Sequence, residues 1–538
     1  LQLLGSQNDM ATIRLVRKVK FLNRTINFFF CLIVIVSALG CIMKLGELLK
    51  VSAPSAALMM LIIISVVAFC YVNRIDVKSV TVKVNNLFSK YNRLMAMILI
   101  LVTLVWQWNM VYALAGHSGW DPGVVTLSAM AKHSKEWFEI YFSEYPNNIL
   151  LLLLDHSIWQ SLENFGTPTY RNFMYVLGIL NYLVYDLAML LLTIGMHCTF
   201  GKLAAWFTGI VGLILILVSP VGVIPYSDSL TFLVISAILL HLTYLTKGGV
   251  RWKKWLNLMW LGILAAFGCL IKPTVLILFI ALVILIAFKV GNKQLRLQNV
   301  AKAMIPVIIS FGCTYLPLHH YELNSEVVKI DAKKKMPMNH FLAMGMSKDG
   351  GYNLTDFEKN VAIKDPKQRS NYNNELIKQR LKRFGISGYL KFLLSKQINN
   401  TADGTFGWAQ ERQVTNDYLA GPFTTHLNLL QKLQRKIYMN FDNQKQQFVA
   451  NETWNGKAVL IQLIWVICLV SLFWLIRIED EQVQLLKLIF LGFSAFLLFF
   501  EGGRSRYLIQ FLPVIFALVG VALAILEDKY KKIVVKEK

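Results

Sequence analysis

The residues able to do chemistry gather in a few short stretches. Residues 116–127, "GHSGWDPGVVTL", set Asp121 between Trp120 and Pro122 just after a long apolar run, with His117 upstream. His133, Glu144 and Tyr145 follow before the next apolar run. "PVGVIPYSDSL" supplies Tyr226 and Asp228, and "CLIKPT" supplies Lys272. "EGGRSRYLIQFLP" supplies Glu501, Arg504, Arg506 and Tyr507. Two glycine-rich stretches, "HFLAMGMSKDGGYN" and "ADGTFGWAQE", carry His340, Lys348, Asp349, Asp403, Trp408 and Glu411. A carboxylate held near a hydroxyl acts as a general base. Arginine grips phosphate oxygens through paired hydrogen bonds, and lysine acts as a point charge. The set therefore suggests proton transfer beside an anion site.

Each residue also has a plainer reading. Asp121 precedes Pro122 and Gly123, so the backbone turns there. Its carboxylate reads equally well as the cap of a helix starting at Val124. Lys272, Arg504 and Arg506 fall at span ends, where a charge is costly unless it is paired or faces a wet cavity. Snorkelling, or pairing with Glu501, accounts for any one of them alone. Three cations beside several carboxylates favour an anion site. His117 and His133 lack the spacing of a zinc motif and read as surface or core residues. His340 and "KDGG" read as an ordinary loop or as a contact to sugar or lipid. Trp120, Trp137, Phe138, Tyr141 and Phe142 read as an interfacial belt or as a surface that stacks on sugar. Asp228 reads as a functional acid or as the cap of the next span.

What must position these residues is a membrane. The chain of 538 residues is 56% hydrophobic and 16% charged, against about 25% charged residues in soluble proteins. Many separate runs, among them 94–115, 204–218, 275–288 and 458–476, approach the ~20 apolar residues that cross a bilayer. The expected fold is an all-α polytopic membrane protein with about 12 spans, roughly 11–13. The net charge is +24. Its basic clusters at 14–20, 74–93, 247–254, 289–302 and 529–538 fall between spans or at the chain ends. The positive-inside rule and anionic headgroups account for them. No nucleic-acid-binding fold is recognisable. The seven cysteines lie in or beside apolar runs without a CxxC pair and read as small buried hydrophobes.

With both basic termini inside, three regions follow. Residues 1–318 form a transmembrane module with a first external loop at 116–148. Residues 319–457 form a mostly helical external domain. Residues 458–538 hold the last spans and a basic cytoplasmic tail. Three hydrophobic segments, 149–165, 173–198 and 204–218, lie between two external loops, where only an even number can cross. The short run 149–154 is the expected exception. Within the external domain, "NNELIKQRLKRFGISGYLKFLLSKQ" reads as a helix broken at Gly385 and Gly388. Residues 389–396 read as an amphipathic piece suited to a bilayer surface. All the chemistry-bearing stretches collect on the external side.

The order of "GWDPGVV", "YFSEYPNN", "PYSDS", "LIKPT" and "RSRYLIQFLP" resembles the GT-C superfamily of integral-membrane glycosyltransferases. It lies on the side of the protein O-mannosyltransferases and the bacterial aminoarabinose transferase. "MPMNHFLAMGM" and "DGTFGWAQE" are similar to Gram-positive members that decorate cell-wall polymers such as teichoic acids. The resemblance implies an inverting transfer from an undecaprenyl (polyprenyl) phosphate sugar to a glycan, polymer or protein acceptor. It places the site on the extracytoplasmic face of the cell membrane, among membrane lipids. Asp121 matches the base. Glu144 matches a second position that is often acidic, and Asp228 is a further acid. Arg504 and Arg506, with Lys272, match the donor-phosphate side. Trp120, Tyr145, Tyr226, His340, Trp408 and Tyr507 are the expected lining. Pro122 stands where many O-mannosyltransferases carry a second acid, which argues against a two-acid mechanism. No cofactor is fixed by the resemblance. Some branches use a divalent cation, and no metal motif is present. Two rivals share the lipid-phosphate setting: a transporter or flippase for lipid-linked saccharide, and a polysaccharide polymerase or ligase. No inverted repeat of the transporter kind is visible.

Overall fold

The computed structural model describes residues 3–51, 77–118, 120–131, 135–246, 251–408, 418–442, 447–450 and 456–536. A further apolar run at 56–72, which sequence reading takes as a span, and His133 and Glu411 lie outside the described residues. Lipid offers the backbone no hydrogen bonds, so apolar length must become helix. Ten helices among the described residues are long and apolar enough to cross a membrane. The first five are Phe21–Lys50, Leu94–Leu114, Tyr170–Phe200, Ser227–Leu245 and Trp252–Ile271. Pro273–Gly291, Leu297–Leu323, Ala458–Leu475, Glu481–Phe499 and Ser505–Glu527 complete the set. A shorter apolar helix, Lys202–Leu217, packs against Ser505–Glu527 and Tyr170–Phe200. The protein is thus an all-α polytopic membrane protein, with two small two-stranded ribbons outside the bundle.

Burial orders the bundle from axis to rim. The most apolar window of Ser505–Glu527 is 83% buried, so this helix is the axis. Leu297–Leu323 is only 11% buried and stands at the rim. Exposed Cys313 sits on that rim helix, so it is no buried hydrophobe, whereas Cys41 and Cys468 are buried. Far from the external domain, Lys289 pairs with Glu481. There Lys487 donates to Asn27 Oδ1 at 2.6 Å and to the Ile478 carbonyl at 2.8 Å.

The segment 149–165 forms one helix, Ile149–Phe165, and is absent from the ten. The chain leaves the second described span near His117 and enters the next at Tyr170. The His117 ring lies 2.8 Å from the Tyr170 hydroxyl. The intervening piece therefore begins and ends at the same level of the bundle. Its helix is tied there by His156, whose Nδ1 lies 2.7 Å from the Ala129 carbonyl.

Helix Leu297–Leu323 runs a little past the expected boundary at 318 before the polar domain, expected to be external, begins. That domain is bolted to the bundle. Gly116–Ser118 pairs antiparallel with Tyr418–Pro422. Arg435 donates to the Ala113 carbonyl at 2.7 Å and the Thr424 carbonyl at 2.8 Å. It satisfies a free carbonyl at a helix C-terminus, where a cation also suits the dipole. The long helix Pro366–Thr401 is broken at Gly385 (φ 59°, ψ 179°), while Gly388 stays helical. Only Gly385 adopts the left-handed region that glycine tolerates without strain.

Candidate functional site

The chain turns out of its span into the helix Asp121–Ala129, with Pro122 in the first turn. Pro fits there because its missing N–H would be unsatisfied anyway. The helix starts at Asp121, not at Val124, and Trp120 is its cap without a side-chain bond. Asp121 is thus free of capping duty, and Oδ2 accepts from the Tyr226 hydroxyl at 3.0 Å. Gly123 allows this entry. A Cβ there would sit 1.9 Å from the Ser118 carbonyl oxygen.

Tyr226 is the hub. Its ring meets Trp120 edge-on, with centroids 5.4 Å apart. Lys272 Nζ lies 5.2 Å from its centroid. Lys272 also forms an ion pair with Asp228. These two expected functional groups neutralise each other and brace the ring. Arg506 packs its guanidinium 3.8 Å from the Trp120 centroid and 5.8 Å from that of Tyr226. Among the described residues, neither Arg504 nor Arg506 forms an ion pair. Trp120, Tyr226, Asp228, Trp408 and Arg506 line one cavity of about 30 Å³. That volume holds about two waters.

On the other side of Asp121 the groups are acidic and aromatic. Glu501 accepts from the Tyr507 hydroxyl. Burial pushes the Glu501 carboxyl up, against the pull of Tyr507, Arg506 and Arg504. Burial also raises Glu144, opposed by Arg369 and Lys334. Tyr145 stacks on Phe357 with centroids 6.0 Å apart, and Tyr352 leans on the same ring at 6.1 Å. Burial, then the charges of Glu501, Asp121 and Glu144, push the Tyr352 phenol up to about 12. Tyr141 is raised by burial and then by Asp121. Its hydroxyl accepts from Asn148 Nδ2 at 2.7 Å.

The structure therefore brings Trp120, Tyr226, Asp228, Trp408 and Arg506 around one cavity, with Asp121 bonded to Tyr226 and Lys272 to Asp228 behind them. Glu144, Tyr145, Arg504 and Tyr507 stand at its acidic and loop flanks. His340 stands apart. It is fully buried in the external domain, near Asp356, Arg369 and Arg380. Sequence reading did not single out Tyr352 or Phe357, because their role depends on a stacking partner far along the chain. It found Tyr141 only as part of an aromatic run. Among the described residues no group of three metal-binding side chains is assembled.

Fold and site together define a multi-pass integral membrane protein with a small, mostly aromatic and apolar chamber that holds Asp228 and Arg506. A family model described as conserved hypothetical integral membrane protein matches residues 18–525, and the chain belongs to that family. No curated protein matches the chain, and no solved structure does.

Proposed function

We propose that the protein is a glycosyltransferase of the GT-C kind. It moves a sugar from a polyprenyl phosphate to an acceptor hydroxyl on the extracytoplasmic face of the membrane. One observation carries the reading. A carboxylate without capping duty, Asp121, and an arginine with no ion-pair partner among the described residues, Arg506, meet at the same side chain, Tyr226. Transfer needs both groups. The acceptor oxygen attacks C1 while its proton passes to Asp121. The C1–O bond to phosphate breaks, and the electron pair leaves with the lipid phosphate. Arg506 and Arg504 meet the charge that grows there. A single displacement inverts C1 and needs no covalent enzyme intermediate.

The contacts support different work for the other groups. Tyr226 orients Asp121 and uses one of its oxygens, so acceptor capacity remains. Lys272 and Asp228 fix Tyr226 and are not free to serve the phosphate directly. The cavity is too small for a sugar phosphate, so Trp120 and Trp408 must part when donor enters.

The test is a transfer assay with purified protein, a panel of undecaprenyl-phosphate sugars and wall-polymer acceptors. The wild type transfers at least one sugar. Asp121→Asn lowers kcat by 100-fold or more, of the order expected for general-base loss, with donor affinity kept. Arg506→Ala weakens donor affinity. Full activity of Asp121→Asn overturns the base assignment. Movement of intact lipid-linked saccharide across vesicles without transfer favours the transporter reading. Chain growth in place of single additions favours the polymerase.

A further inference from the structure

The break at Gly385 separates two helices of different character. Beyond it, Ile386, Leu390 and Leu394 are 86%, 57% and 47% exposed. Their spacing of four puts them on one helix face. The turns that follow, at the C-terminal end of the same helix, are engaged. Gln397 Nε2 donates to Ser37 Oγ at 3.0 Å. Ile398 closes on Gly40, where a Cβ would lie 2.8 Å from it. Trp465 Nε1 donates to the Thr401 carbonyl at 2.8 Å. Ser37 and Gly40 belong to the span Phe21–Lys50. The polar end of that span is marked by the Lys44–Glu47 pair. At ~1.5 Å per residue, Ser37 lies about 10 Å inside Lys44. The helix after Gly385 thus reaches below the level where the span turns polar. The span's own exposed Leu39, Ile42 and Met43 extend the same apolar surface. Lys382, Arg383 and Lys391 are exposed, and no acidic residue occurs in 376–401.

We propose that residues 386–401 form a helix seated in the lipid leaflet, with Ile386, Leu390 and Leu394 among the acyl chains. Lys382, Arg383 and Lys391 stand at anionic headgroups. The partner is the bilayer itself. The engaged C-terminal turns give the seat a consequence. Lys396 is buried and donates to the Gly345 and Phe500 carbonyls, both at 2.6 Å. Asn400 Oδ1 accepts from the Gly503 amide at 2.6 Å. Ser505 Oγ donates to the Asn399 carbonyl at 3.1 Å. One helix therefore rests on lipid and holds the turn that carries Arg504 and Arg506.

The experiment uses the unaltered full chain in nanodiscs containing phosphatidylglycerol with a photoactivatable diazirine in its acyl chain. After illumination, peptide mass spectrometry reads the attachment sites. Lipid adducts at Ile386, Leu390 or Leu394, with yields comparable to those at Leu39 and Met43, are expected. Replacing phosphatidylglycerol by phosphatidylcholine should reduce the 386–394 yield several-fold and leave Leu39 unchanged. Adducts on Leu39 and Met43 with none on 386–394 overturn the proposal. Neither readout depends on the glycosyltransferase reading.

Discussion

Tyr226 gives Asp121 its orientation, and the strength of that bond sets a measurable scale. A hydrogen bond to a charged group contributes about 1.5–3 kcal/mol. Tyr226→Phe therefore lowers kcat of transfer by roughly 10–100-fold. It leaves donor affinity near wild type, because Arg506 keeps its contact with Trp120. An equal loss in donor affinity would mean that Tyr226 holds the donor instead. The Lys272–Asp228 pair supports a second prediction. Both side chains are mostly buried, at 16% and 11% exposed, so removing one partner strands the other charge. Lys272→Met should cost about 3–5 kcal/mol in unfolding. Lys272→Met with Asp228→Asn should recover most of it, read by thermal unfolding in detergent. The turn at Asp121 was legible in sequence through its Trp-Asp-Pro-Gly setting. The bond to Tyr226 was not, since it joins residues 105 positions apart. Nor was the Lys272–Asp228 pair: sequence reading treated these as two independent site residues.

Glycines decide how the elements meet, and their contexts predict unequal effects. Gly503 has φ +74°, and a Cβ there would lie 2.3 Å from the Asp349 carbonyl oxygen. Gly502 donates its amide to the Gly350 carbonyl at 2.9 Å. The loop 345–351 and the turn 500–504 thus interlock with no room for side chains. Gly503→Ala must shift that contact, costing roughly 1–3 kcal/mol from backbone strain alone, and it displaces Arg504. Thermal unfolding and donor binding should fall together. Gly385→Ala meets nothing within 4 Å despite φ +59°. Its cost is backbone strain alone, about 1–3 kcal/mol, and donor binding should be unchanged. If both variants behaved alike, the interlock would not govern the turn. The spans were legible because apolar length is a one-dimensional signal. The choice between Gly385 and Gly388 as the break was not. Both glycines permit a bend, and only the packing of the two helix halves selects one. The glycine pairs of the interlock were visible as composition, but their pairing was not.

At the scale of the molecule, the bundle and the external domain share one chamber, so the domain's stability bears on the site. His340 provides a handle on it. It is fully buried, and neither ring nitrogen has a partner among the described residues. Burial first, then Arg369 and Arg380, lower its pKa from 6.5 to about 4, with Asp356 opposing. The unfolded domain therefore binds more protons than the folded one between these values. Stability is full above about pH 6.5 and falls as pH drops toward 4, by on the order of 3 kcal/mol. Glu144, raised by burial, acts in the opposite sense, since its ionisation opposes folding as pH rises. A bare pH profile mixes the two, so the comparison must be with His340→Phe, which keeps a ring of similar size and removes the titration. Hydrogen exchange in the helix Met338–Met344 reads local opening directly. In the wild type, protection should fall between pH 6.5 and 4. In His340→Phe it should stay flat or rise slightly with acid, as Glu144 then acts alone. Identical profiles in the two proteins would remove His340 as the acid-sensitive element.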